Sequence, residues 1–253
     1  MKIFNYICKT PKFKYFFRHP IEDILFFDIE TTGLSPKASS LYMIGVMFFD
    51  KSDDKWHLTQ FFADNYKSEA DIINSFLNIL ENYDFLYHFN GKTFDIPYIL
   101  NKCSKHDISL SEHSDKILND KDSLYSIDIL AGIRPVKKIL NIEKANQTAL
   151  ERWLGIIRDD KFDGGKLIPV YAEYMQKKIL APKKADELEK ILLLHNYEDI
   201  ENMLNVASIM SYNDISTISS ISADETIFNE YSKQFQISDI TIDDDGMLNI
   251  LCT

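Results

Sequence analysis

The feature that most constrains this chain is a short apolar run that ends in two acidic residues and a tight turn. Residues 24–27 read Ile-Leu-Phe-Phe and lead directly into Asp28, Ile29 and Glu30, which residues 31–33, Thr-Thr-Gly, follow. Because side chains alternate along a strand, Asp28 and Glu30 share one face, about 7 Å apart, and Ile29 lies on the other. Carboxylates held this close repel each other, and a cation between them relieves the repulsion. The segment therefore predicts a buried strand that ends at a metal site.

An acidic pair of this kind also occurs at ordinary strand ends, where both side chains face solvent. For the pair alone that interpretation is the stronger one, and further acidic groups are needed to favour a metal site. The segment HFNGKTFDIPYIL supplies one, because it reads as a strand, a glycine turn and a helix that begins near Asp95. Pro97 fits the first helical turn, where amides have no intrahelical partner. Taken alone, Asp95 could equally be an acidic residue favoured by the helix dipole.

The segment KILLLHNYEDIENML supplies the last groups on a strongly apolar helical pattern. His195 and Asp199 are four residues apart and so share one face of a helix. A lone histidine on such a helix is more often a core or surface residue than a functional one. The aspartate one turn later favours a functional role.

These groups together indicate the chemistry of phosphodiester hydrolysis. Carboxylates without thiolates suit Mg²⁺ or Mn²⁺ and disfavour zinc. Two such ions about 3.5–4 Å apart can act on one phosphate. A histidine, with an ordinary pKa of about 6.5, is suited to taking a proton from water.

Composition limits the class of protein. The chain has 253 residues, of which 45% are hydrophobic and 26% charged, as in a soluble globular protein. No apolar run reaches the roughly 20 residues of a membrane span, and the N-terminus lacks the pattern of a signal peptide. Three widely spaced cysteines form neither a metal pair nor a disulfide framework. We therefore expect a cytoplasmic protein with reduced thiols and no membrane partner.

The net charge of −11 argues against a protein that coats nucleic acid non-specifically, since such binding needs many basic residues. It does not exclude an enzyme that holds one strand end through metal ions. Two local basic stretches are candidates for a substrate rim, although a solvated face is the commoner role of such residues. They are Lys9, Lys12, Lys14 and Arg18, and then Arg134, Lys137 and Lys138.

The remaining pattern predicts a mixed sheet with helices packed on it. A helix with Ser68 as its N-cap follows the first strands, and residues 131–212 are mostly helical with breaks at Gly155 and at 163–165. The predicted strands cover residues 24–30, 41–49, 56–63, 85–89 and, as a short strand, 126–130.

The order and spacing of three segments resemble the exonuclease motifs of the DEDD (DnaQ-like) superfamily. The segments are FDIETTGL, FNGKTFDIPYI and HNYEDI, and the similarity runs from about Ile24 to Ala207. The YprB-type branch is the nearest match. It is indicated by residues 91–95, 126–130 and 148–155, continuing through Arg158 and Gly164 to 168–171.

This resemblance implies an α/β, ribonuclease-H-like fold: a mixed sheet of an antiparallel meander plus parallel strands, flanked by α-helices. It implies three parts, namely an N-terminal arm at 1–23, the exonuclease domain at 24–212 and a C-terminal extension at 213–253. The extension reads as a β-hairpin that turns at Asp245-Gly246.

The resemblance also implies a 3′–5′ exonuclease that uses two Mg²⁺ or Mn²⁺ ions on single-stranded DNA or RNA ends and releases nucleoside 5′-monophosphates. Metal-binding and catalytic roles fall on Asp28, Glu30, Asp95 and Asp199, and the water-activating role on His195. The histidine departs from the family pattern, because it stands at the spacing at which one branch carries tyrosine. The residues expected beside the terminal nucleotide are Thr31, Thr32, Gly33, Leu34, Asn90 and Lys92.

Two other functions remain open at this point. One is a non-catalytic module on the same fold that binds nucleic acid or protein, and the other is a structure-specific endonuclease. A pure binder gains nothing from four mutually repulsive carboxylates, which favours an enzyme. The sequence decides neither the sugar of the substrate nor the oligomeric state.

Overall fold

A six-stranded mixed sheet organises the protein. The computed structural model describes residues 1–9, 11, 19–162, 164–213, 237–242 and 248–252. Starting from one edge, the first four strands pair antiparallel with one another. The fourth strand also pairs parallel with the fifth, and the fifth pairs parallel with the sixth. In their order across the sheet the strands are β1 (Lys2–Ile7), β4 (Lys55–Phe62), β3 (Leu41–Asp50), β2 (Ile24–Thr31), β5 (Phe85–His88) and β6 (Ser126–Asp128).

Helices cover both faces of this sheet. None of the described helices is long and apolar enough to cross a membrane. Their bounds are α1 (Glu69–Leu80), α2 (Asp95–Lys105), α3 (Glu112–Leu118), α4 (Ile129–Ile133), α5 (Gln147–Trp153), α6 (Gly164–Leu180) and α7 (Pro182–Ala207).

The central strand β2 is apolar throughout because both of its faces are buried. Leu25 and Phe27 belong to the cluster that contains the apolar side of α1, whereas Ile24 and Phe26 belong to the cluster formed with α4 and the later part of α7. Each of these four side chains is at most 1% exposed. A strand buried on both faces has no need of polar alternation, which is why the run reads as continuous apolar sequence. The predicted fold class is confirmed.

The N-terminal residues differ from their prediction as an arm. All six residues of β1 pair with β4, so β1 is an edge strand of the main sheet. Along β1 the half-buried side chains are Lys2, Phe4 and Tyr6, while Ile3 and Ile7 are more than half exposed. The isoleucines point outward and a lysine points inward. The sequence therefore does not show the alternation of apolar and polar residues that predicts a half-buried strand.

Two further boundaries depend on local capping. The predicted strand at 126–130 ends at Asp128, whose Oδ1 accepts the Leu130 amide at 3.0 Å and starts α4 instead. The long helical region divides at Ala181, where Pro182 occupies the first turn of α7.

Two C-terminal strands form a separate two-stranded sheet. They are β7 (Ile237–Ile242) and β8 (Leu248–Cys252), and they pair antiparallel. Antiparallel pairing is what the predicted hairpin requires. The predicted turn at Asp245-Gly246 lies outside the described residues.

A buried ion pair fixes the loop between β2 and β3. Lys102 of α2 has a fully buried side chain whose Nζ lies 2.9 Å from Glu69 Oε1 and also donates to the Ser39 carbonyl. Glu69 further accepts the Leu41 amide at 2.7 Å. These contacts join α1 and α2 to the end of the connection that leads into β3. Lys105 reaches the same carboxylate at 3.3 Å, but its side chain is 49% exposed.

We expect Lys102→Met to lower the free energy of unfolding by about 3 kcal/mol, because it leaves a buried carboxylate without its buried partner. Lys105→Met should cost less than about 1 kcal/mol, since an exposed pair is screened by water. Urea denaturation of both variants measures the difference. Equal losses would show that burial does not set the strength of this network.

Candidate active site

A cleft of about 630 Å³ opens where three elements of the fold meet. It lies at the C-terminal end of β2, the N-terminal end of α2 and the middle of α7. All four predicted carboxylates and the predicted histidine line it. Its lining residues are Asp28, Ile29, Glu30, Thr31, Gly33, Leu34, Phe89, Asn90, Phe94, Asp95, Leu130, Ala145, Asn146, Gly165, Ile168, His195 and Asp199.

The two β2 carboxylates are each held by a neighbouring side chain. Asn196 of α7 donates from Nδ2 to Asp28 Oδ2 at 3.0 Å. Tyr42 donates from its hydroxyl to Glu30 Oε2 at 3.5 Å. Both acids belong to the face of β2 that α7 covers, as strand alternation predicts.

Asp95 enters the cleft from the first residue of α2. The turn before it contains Asn90, whose φ is 61°, and Gly91, whose amide donates to His88 Nδ1 at 2.9 Å. Burial raises the pKa of Asp95, and the nearby backbone amide of Ile29 on β2 lowers it in part. Asp95 is 7% exposed.

Helix α7 approaches the sheet closely because a glycine faces it. A Cβ at Gly45 of β3 would lie 2.1 Å from Ile200 Cδ1 and 2.2 Å from Asn196 Oδ1, so any side chain here would displace these two side chains, including the one that holds Asp28. The approach brings His195 Nε2 to 3.6 Å from Glu30 Oε1. Within α7, the same nitrogen lies 3.2 Å from Asp199 Oδ2.

A second layer of polar residues holds the α7 groups. Arg158 places one nitrogen 2.6 Å from Asp199 Oδ1 and pairs on its other side with the buried Glu151. Gln147 donates to the Asp199 carbonyl at 2.5 Å and to Glu151 at 3.2 Å. Asp160 lies 2.6 Å from His195 Nδ1.

The cluster strongly disfavours full ionisation. Burial, followed by repulsion from Asp95, Asp199 and Glu30, raises the pKa of Asp28 well above its usual range. Burial is also the main reason that the pKa of Glu30 rises to about 8 and that of Asp95 to about 7. Each proton retained near neutral pH marks a position where a cation would compensate the negative charge.

His195 has a raised pKa. Burial lowers it, but the neighbouring carboxylates of Asp199, Glu30 and Asp160 outweigh burial and stabilise the imidazolium. A cation bound among the same carboxylates would remove much of that stabilisation and favour the neutral ring.

The donor set fits a divalent cation that prefers oxygen. Glu30, His195 and Asp199 each offer one ligand atom, and these three atoms lie within 4.8 Å of one another. Asp28 and Asp95 add carboxylate oxygens to the same cleft. Carboxylates with no thiolate among the lining residues match the chemistry of Mg²⁺ or Mn²⁺.

The predicted substrate residues divide into two groups. Thr31, Gly33, Leu34 and Asn90 line the cleft, and Leu34 is 84% exposed at its edge. Thr32 and Lys92 do not line it. The Thr32 hydroxyl accepts the Ser40 amide at 2.8 Å, and Lys92 Nζ donates to the Asp120 carbonyl at 3.0 Å and to Ser123 at 2.9 Å.

Of the residues in the predicted basic stretches, the described ones do not line the cleft; they are Lys9, Arg134, Lys137 and Lys138. Lys12, Lys14 and Arg18 lie outside the described residues. The roles of the individual site residues stay predictions.

Several residues of the second layer were not singled out in the sequence. Asn196 follows His195 and precedes Ile200 by four residues, so helical spacing could have placed it on the face that meets the sheet. Arg158 belongs to the segment that resembles the YprB-type branch, but no role was assigned to it. Asp160 lies in the run RDDKFDGG, where nothing in the sequence distinguishes it from its acidic neighbours.

Comparison with known proteins supports the fold. A family model, RNase_H_2, described as the RNase_H superfamily, matches residues 25–211. A comparison with curated proteins found no match.

Two solved structures illustrate the similarity. The family B DNA polymerase from the hyperthermophilic archaeon Pyrobaculum calidifontis has 16% sequence identity and a TM-score of 0.55, over 81% of this chain and 26% of the polymerase. E. coli exonuclease I in complex with a dT13 oligonucleotide has 16% identity and a TM-score of 0.39, over 65% of this chain and 42% of the exonuclease. The chain thus spans less than half of either protein.

At these identities the polymerase shows shared architecture only. The family model, in contrast, covers most of the chain, including every element that contributes to the cleft. The chain therefore belongs to the RNase H superfamily.

Proposed function

We propose that this protein is a cytoplasmic, divalent-metal-dependent 3′–5′ exonuclease that shortens single-stranded DNA or RNA. The observation that carries the proposal is the convergence of four carboxylates and one histidine, from β2, α2 and α7, on one open cleft. Three of these acids, Asp28, Glu30 and Asp95, have raised pKa values, and acids of this kind are common at functional sites.

Asp28, Glu30, Asp95 and Asp199 would hold two Mg²⁺ or Mn²⁺ ions. When bound, the ions would neutralise the charge on the phosphate and lower the pKa of water. The carboxylates would hold these ions beside the scissile phosphate. Arg158 restrains Asp199, and Asn196 restrains Asp28, so that neither side chain has to reorganise when substrate enters.

His195 would act as the general base. Its Nε2 faces the carboxylate cluster, and in the neutral ring this nitrogen can accept a proton from the attacking water. The water oxygen forms a bond to phosphorus while the bond from phosphorus to the 3′ oxygen breaks. The products are a nucleoside 5′-monophosphate and a strand with a new 3′ hydroxyl.

Apolar side chains provide a surface for the terminal base. Phe89, Phe94, Leu130 and Ile168 line the same cleft as the acids. Aromatic faces accept any base by stacking, which gives affinity without sequence preference. Leu34, at the exposed edge, is placed to contact the last base as it enters.

The test is cleavage of 5′-labelled linear and circular single strands, as DNA and as RNA, with Mg²⁺ or Mn²⁺. We expect a ladder that shortens from the 3′ end, release of nucleoside 5′-monophosphates, and no cleavage of the circles. Cleavage of circular strands would instead identify an endonuclease. Binding without cleavage of any substrate would identify a non-catalytic module.

A further inference from the structure

The described part of the connection between α5 and α6, residues 154–162, contacts α7 at the cleft. Within this connection Asp160 is buried, and its side chain is only 2% exposed. Its Oδ2 lies 2.6 Å from His195 Nδ1, and its Oδ1 accepts the Phe162 amide at 3.0 Å. Both oxygens are therefore engaged, and the carboxylate has a fixed orientation.

Helix α7 itself holds this connection in place. Glu198 accepts the amides of Asp159 and Asp160 at 2.9 Å each, one on each carboxylate oxygen. Glu198 directly precedes Asp199 in sequence, so the residue that anchors the connection is adjacent to a proposed metal ligand. The contact between Asp160 and His195 is thus fixed from both sides.

This contact determines which nitrogen of the neutral imidazole carries the proton. A carboxylate accepts a hydrogen bond and donates none, so Nδ1 must carry the hydrogen that faces Asp160. Nε2 then has a free lone pair, and it is the nitrogen that faces Glu30 and Asp199. The opposite tautomer would present a hydrogen to the cleft and could not accept a proton from water there.

We propose that Asp160 is a positioning residue that keeps His195 in the Nδ1–H tautomer with Nε2 directed into the cleft. The inference rests on the proposed function, because it assigns Asp160 to the residue proposed as general base. Asp160 does not itself line the cleft, so it acts through His195, which does.

The experiment compares Asp160→Asn with Asp159→Asn in the full chain. Asp159 is adjacent, carries the same charge and is exposed, which makes it a matched control. We expect Asp160→Asn to lower kcat by about 10²-fold or more with KM nearly unchanged, in line with the effect of misorienting a catalytic imidazole. Asp159→Asn should change neither constant by more than about twofold, as expected for an exposed side chain.

A second readout does not depend on activity. Nitrogen-15 NMR of His195, recorded with Mg²⁺ at a pH where the ring is neutral, reports which ring nitrogen is protonated. We expect Nδ1–H in the wild type and in Asp159→Asn, and a shift toward Nε2–H in Asp160→Asn. An Nε2–H ring in the wild type, or an unchanged tautomer in a folded Asp160→Asn, would overturn the inference. Because this readout needs no substrate, it separates failure of the inference from failure of the proposed nuclease activity.

Discussion

Replacing Asp28 with asparagine is expected to abolish metal-dependent cleavage, with a loss of about 10³-fold or more. The substitution keeps the shape of the side chain and an oxygen that can still accept the bond from Asn196. It removes one of the negative charges that would hold the cations, so the site loses electrostatic stabilisation at the point where charge develops. The measurement is the cleavage rate of a labelled single strand across a range of Mn²⁺ concentrations.

The matched control for this variant is Asp186→Asn. Asp186 is exposed near the start of α7 and lies outside the cleft. It should leave both the cleavage rate and the Mn²⁺ dependence unchanged. Calorimetric titration completes the test, because Asp28→Asn should weaken Mn²⁺ binding. A fully active Asp28→Asn enzyme would contradict both the metal site and the proposed function.

The second large effect concerns pH and stability. Without metal, the protein should lose stability as pH rises from about 5 to about 8. Burial raises the pKa of Glu30 to about 8 and that of Asp95 to about 7, so the folded state keeps protons that the unfolded chain has already released. Where the folded state binds more protons, raising pH favours unfolding. The raised pKa of His195 acts with the same sign.

The expected loss is on the order of 3 kcal/mol between these pH values. A saturating divalent cation at pH 8 should restore a similar amount, since a hundredfold excess over Kd stabilises by about 2.7 kcal/mol. For a domain of this size that corresponds to about 6–12 °C in Tm. Thermal unfolding followed by circular dichroism, with EDTA or with Mn²⁺, measures both effects.

Asp95→Asn provides the internal check. The amide cannot ionise, so the metal-free variant should lose less stability on raising the pH and should gain less from Mn²⁺. If the wild type instead became more stable toward pH 8 in EDTA, the carboxylates would have to be ionised and satisfied without metal. That result would remove the electrostatic basis for the cation site.

Much of the fold follows from local sequence signals. The continuous apolar run of β2 predicts a strand buried on both faces, and the 3.6-residue spacing of Ile72, Ile73 and Phe76 predicts α1. These signals exist because the buried positions recur at regular intervals along a strand or helix and are occupied by apolar residues. The edge strand β1 carries no such pattern, because its lysine points inward and its isoleucines outward, and the sequence therefore predicts an arm there.

The membership of the candidate site was also largely predictable. Asp28 and Glu30 are fixed on one face of a strand by alternation, and His195 and Asp199 on one face of a helix by the spacing of four. Each pair lies within a single element, where geometry is set by the backbone alone. The membership of Asp95 in the site is predicted from its position between a turn and a helix.

Tertiary packing brings these pairs together. The sequence by itself determined which side chains share a strand face or a helix turn, because those relations depend only on local backbone geometry. Only the folded chain decided that α7 packs against β3 at Gly45, which brings His195 to Glu30 although they are 165 residues apart in sequence. The tertiary structure also decided that Asp160 contacts His195 and that Arg158 contacts Asp199. Contacts between distant segments depend on how whole elements pack, and no short sequence pattern records them.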